Sequence, residues 1–101
     1  MKGTSMFKAV IKFNMEVNNE ADIEILSSYI VDMLCITKLE SIHEVGKIVI
    51  NDTGLKNDFG DFWSIFFKLK KSGIIKKSLL DEFSWIHDRT CENLLTDFFK
   101  V

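Results

Sequence analysis

The chain has 101 residues, 47% of them hydrophobic, and a formal net charge of −2. That length makes one domain, 1–101, which buries roughly two-thirds of the surface its unfolded chain exposes and needs no staples. The mild acidity argues against a general nucleic-acid binder, for which a strongly basic domain is expected. Of thirteen Lys and Arg residues only Arg89 is arginine, and the planar fork of arginine supplies most bidentate phosphate and base recognition.

No eighteen apolar residues run together, so the sequence contains no membrane span. Lys8 and Lys12 interrupt the N-terminal apolar stretch, which leaves no core for a signal peptide. Met1 to Ser5 read as a disordered lead-in, with Met6 an alternative start. Cys35 and Cys91 fall in apolar, helical-looking surroundings. They read as reduced thiols filling the core of a cytoplasmic protein.

Residues Met6 to Glu16 alternate, with Phe7, Ala9, Ile11, Phe13 and Met15 on one side and Lys8, Lys12 and Glu16 among those on the other. That pattern is a half-buried strand. Asn18 or Asn19 then caps a helix whose first turns carry Glu20, Asp22 and Glu24 and which runs to about Thr37. The segment from Leu39 to Asn51 holds β-branched residues around Gly46. It reads either as a hairpin turning at Val45 and Gly46 or as one strand bulged at Gly46, with the hairpin preferred.

The stretch from Asn57 to Gly73 is the densest apolar piece of the chain. At 100° per residue its aromatic and aliphatic side chains, Phe59 through Leu69, cover an arc of roughly 200°. Such a width calls for cover from two directions, a sheet on one flank and a helix on the other. Asn57 or Asp58 is placed to cap the helix, Lys68, Lys70 and Lys71 complement its C-terminal dipole, and Gly73 suits the left-handed position beyond it. After Lys76 and Lys77, Ser78 and Asp81 resemble a capping box. They predict a last helix with Leu79, Leu80, Phe83, Ile86 and Cys91 on its apolar arc. The expected fold is α+β in the order β-α-β-β-α-α, a sheet of about three strands packed by helices.

Chemistry-bearing patterns are few. His87 and Cys91 stand four apart, a spacing that could seed a metal or nucleophile pair, but no further ligands are spaced to complete it, and core packing is the simpler reading. The oxygen-rich loop from Asn51 to Asp61 fails the calcium-loop register. Nucleotide and hydrolase signatures are missing, so no enzyme, cofactor or metal is expected. The cations Lys68, Lys70, Lys71, Lys76 and Lys77 could track a phosphate backbone, and they also suit a helix C-terminus.

In size, mild acidity, lack of catalytic groups and Lys/Ile/Asn/Phe-heavy composition the whole chain resembles the small inhibitor proteins of bacteria and phages. It is most similar to the immunity proteins of contact-dependent inhibition and bacteriocin systems. That resemblance implies a non-enzymatic inhibitor occluding the active site of a cognate nuclease toxin, and it carries over no individual residue. Nuclease sites are basic, so the contact surface should be acidic with an aromatic anchor. Asp81, Glu82, Trp85, Asp88 and Glu92, on the outer side of the predicted last helix, supply that combination. Trp85 has a second reading, as a side chain packed on the first helix or the sheet. The rival surface is the acidic entry of the first helix at Glu20, Asp22 and Glu24. The alternative function is a small regulatory nucleic-acid-binding protein using the lysines between Lys68 and Lys77.

Overall fold

The computed structural model describes residues 7–16, 20–54, 57–76 and 78–101. The lead-in to Ser5, Met6, the caps at Asn18 or Asn19, and Lys77 lie outside the described residues. Strand β1 (Phe7–Phe13) is the centre of a five-stranded sheet with the order β2-β3-β1-β4-β5. Its alternation holds within the strand, with Ala9, Ile11 and Phe13 buried on one face and Lys8 and Lys12 exposed on the other, but the strand ends at Phe13 and Met15, expected on the buried side, is exposed.

Around it run α1 (Glu20–Leu34), β2 (Glu40–Glu44), β3 (Lys47–Asn51), α2 (Asp58–Ser72), β4 (Leu80–His87) and β5 (Thr90–Asn93). A single π-helical turn, Leu95–Phe99, closes the chain. All neighbouring strands are antiparallel. Strands β1 and β2 both oppose β3 and so run parallel, joined by α1. In the same way β3 and β4 both oppose β1 and are joined by α2. Both helices pack on the same strand side chains and so lie on one face of the sheet. The first six elements thus have the β-α-β-β-α-β order of ferredoxin-like domains, an arrangement that carries many unrelated functions.

One core lies between the helices and the sheet. Ile48, Ile50, Phe83 and Trp85 from the strands meet Leu26, Ile30 and Met33 of α1 and Phe62, Ile65, Phe66 and Leu69 of α2. The hairpin reading of Leu39 to Asn51 holds, with Gly46 at φ 74° in the turn, a conformation that favours glycine. At the end of α2 Gly73 adopts φ 72° and donates its N–H to the Lys70 carbonyl at 3.3 Å. At the start, Asn57 makes no side-chain cap. Asp58 turns back instead, its buried carboxylate accepting from Thr53 N–H (3.0 Å), Thr53 Oγ1 (2.8 Å) and Gly54 N–H (2.8 Å). The first residue of the helix therefore fixes the loop that delivers it.

Two further expectations fail. The sheet has five strands rather than about three, and the predicted last helix is the β4–β5 hairpin followed by the π turn. Ser78 has φ 69°, which is incompatible with the extended backbone of an N-cap residue. Beyond it Phe83, Trp85 and His87 alternate along a strand, and Asp88 at φ 56° makes the turn into β5, a conformation that aspartate tolerates better than most residues.

Candidate partner-binding surface

The five residues expected to form an acidic, tryptophan-anchored face do not share a face. Trp85 is 1% exposed. Its indole packs among Phe7, Phe59, Phe62, Trp63 and Phe66, with ring centroids between 5.0 and 6.1 Å away. The core reading of this tryptophan is the correct one, because alternation along β4 turns it inward. Glu82, three residues earlier, points to the opposite side of the sheet. There it pairs with Lys12 Nζ at 3.4 Å and accepts from the Ser84 hydroxyl at 2.6 Å. These contacts hold its carboxyl below the ordinary value of 4.5, the Ser84 bond contributing most. Asp81 is exposed at the start of β4, and Asp88 sits in the hairpin turn. Glu92 is paired in register with Trp85, and its carboxylate lies 2.7 Å from His87 Nε2.

The cysteines also differ from expectation. Both are exposed free thiols. Cys91 pairs with Ile86 across the hairpin, so it occupies the face opposite His87, and the two cannot act as a pair. Among the described residues no group of three or more His, Cys, Asp or Glu side chains is placed to hold a metal ion. The lysines are divided as well. Lys68, Lys70 and Lys71 stand exposed on the last turns of α2, whereas Lys76 reaches Asp22 at 3.5 Å.

Among the described residues two surfaces combine exposed apolar side chains with charged or aromatic neighbours. The first is on α1, where Ala21, Glu24, Ile25, Ser28, Tyr29 and Asp32 line a shallow open groove. Positions 21, 25, 28 and 32 form one helical stripe on the side away from Leu26, Ile30 and Met33. Ile25 is 52% exposed in it. Glu24 and Asp32 line it, Glu20 stands one turn before Glu24, and none of the three forms an ion pair among the described residues. Tyr29 places an aromatic ring at its edge, its hydroxyl donating to the Lys68 carbonyl at 3.5 Å. The sequence signal for this face was the acidic run from Glu20 to Glu24. What sequence reasoning missed was Ile25, Tyr29 and Asp32, whose contribution depends on which side of α1 meets the sheet.

The second surface is a row of aromatic rings along α2. Phe59 and Phe67 are 51% and 59% exposed, with the half-buried Trp63 between them. The expected cover on this flank is only partial and comes from Phe98 of the π turn, 5.4 Å from Trp63 and 5.2 Å from Phe67.

No helix among the described residues is long and apolar enough to cross a membrane. Comparison with protein-family models, curated proteins and solved structures finds no match to the chain, so the functional reading rests on this geometry.

Proposed function

We propose that the protein is a small non-enzymatic inhibitor of the immunity type, acting in the cytoplasm by binding a cognate toxin, a nuclease, and occluding its basic active site. The observation that carries this reading is the α1 groove. It combines exposed apolar surface at Ile25 with an aromatic edge at Tyr29 and the carboxylates Glu24 and Asp32, which form no ion pair among the described residues. Potentials of opposite sign speed encounter and fix register, while an apolar and aromatic centre supplies affinity. The contact face is thereby moved from the last third of the chain to the first helix.

The test is co-expression with the product of the adjacent reading frame, followed by a nuclease assay with and without the purified inhibitor. A stable complex with loss of nuclease activity is expected. A partner that binds and retains full activity would refute inhibition.

A second reading, binding of single-stranded nucleic acid, draws on Lys68, Lys70 and Lys71 standing beside the exposed Phe67, since cations with stacking rings form such sites. Salt-dependent retention of an oligonucleotide by the purified protein would favour it over the inhibitor.

A further inference from the structure

We draw no further inference here: the strongest candidate, the aromatic row of Phe59, Trp63 and Phe67 along α2 with Phe98 of the π turn at its side, carries none because nothing in the structure shows what covers it.

Discussion

The indole of Trp85 lies flat on the ring of Phe7, with centroids 5.6 Å apart and planes 7° from parallel. Phe7 opens the central strand and Trp85 sits on β4 beside it, two residues from Phe7's own partner His87. The stack therefore joins the first described residue of the sheet to the strand that closes the split unit, and α2 rests on both through Phe62. Trp85→Ala should cost about 3–5 kcal/mol, the range for deleting a large buried aromatic side chain. Phe66→Ala, which removes a ring with no exposure from the same cluster, should fall in the same range. Urea melts decide this. A loss under about 1 kcal/mol for either would mean the aromatic cluster is not the centre of the core.

Elements with their own punctuation were legible in the sequence. Strand β1 announced itself by strict alternation, α2 by its apolar arc and by Gly73, and the β2–β3 hairpin by Gly46. The last third was misread because the residues from Leu79 to Cys91 fit two periods at once. Leu79, Leu80, Phe83 and Ile86 fall on a helical arc, while Phe83, Trp85 and His87 alternate. Local pattern cannot arbitrate between them, since β4 is held by its pairing with β1, whose partners lie 67 (Phe13↔Leu80) to 80 (Phe7↔His87) residues away in sequence. That one error moved Trp85 from core to surface and Cys91 from surface to core. A period of two turns successive side chains to opposite faces, where a period of 3.6 groups them. The candidate site suffered with it, because only the α1 carboxylates lay on an element whose type was read correctly.

Asp58 is a buried carboxylate that holds the loop before α2, accepting from Thr53 and Gly54. Asp58→Ala leaves two backbone N–H groups and a hydroxyl without this acceptor. Hydrogen bonds to a charged group are worth more than neutral ones, so a loss of about 2–4 kcal/mol is expected. Hydrogen exchange should speed up first at Thr53 and Gly54, before the global unfolding limit is reached. Unchanged protection there would show that the loop is held by other contacts.

Both cysteines are exposed, so both should label with a water-soluble thiol reagent in the native protein at rates close to those of the unfolded chain. No disulfide should form between them within one molecule. Labelling that waits for denaturant would place one of these thiols inside the fold.

Glu82 offers a pH signature with a definite sign. Its folded carboxyl titrates below 4.5, so the bonds to Ser84 and Lys12 contribute their full stability above that pH and lose it as pH falls through the lower, folded value. Glu82→Gln should therefore flatten the acid limb of the stability curve below about pH 4.5 and leave its shape near neutrality unchanged. The pair is largely solvated, so the effect is small and shrinks with salt. A Glu82→Gln curve parallel to wild type throughout the acid limb would remove this residue from the acid response.

The α1 groove makes separable kinetic predictions for the captured toxin. Glu24 and Asp32 are exposed on its rim, where a charge acts chiefly on the approach of the partner rather than on the finished contact. Glu24→Lys with Asp32→Lys should lower the association rate about tenfold or more at low ionic strength, and the difference should fade as added salt shortens the screening length. Ile25 lies in the groove itself, 52% exposed in the free protein. Ile25→Asp would bury a charge against the partner and should weaken binding by 2 kcal/mol or more, about thirtyfold, mainly through faster dissociation. All three side chains are exposed, so thermal melts of the variants should match wild type within a few degrees. The reverse charge on the opposite flank, Lys70→Glu on α2, serves as the control and should leave toxin binding untouched. If the α2 variant slows association while the α1 variants do not, the toxin approaches the aromatic row instead, and the acidic groove is only a solvated helix face.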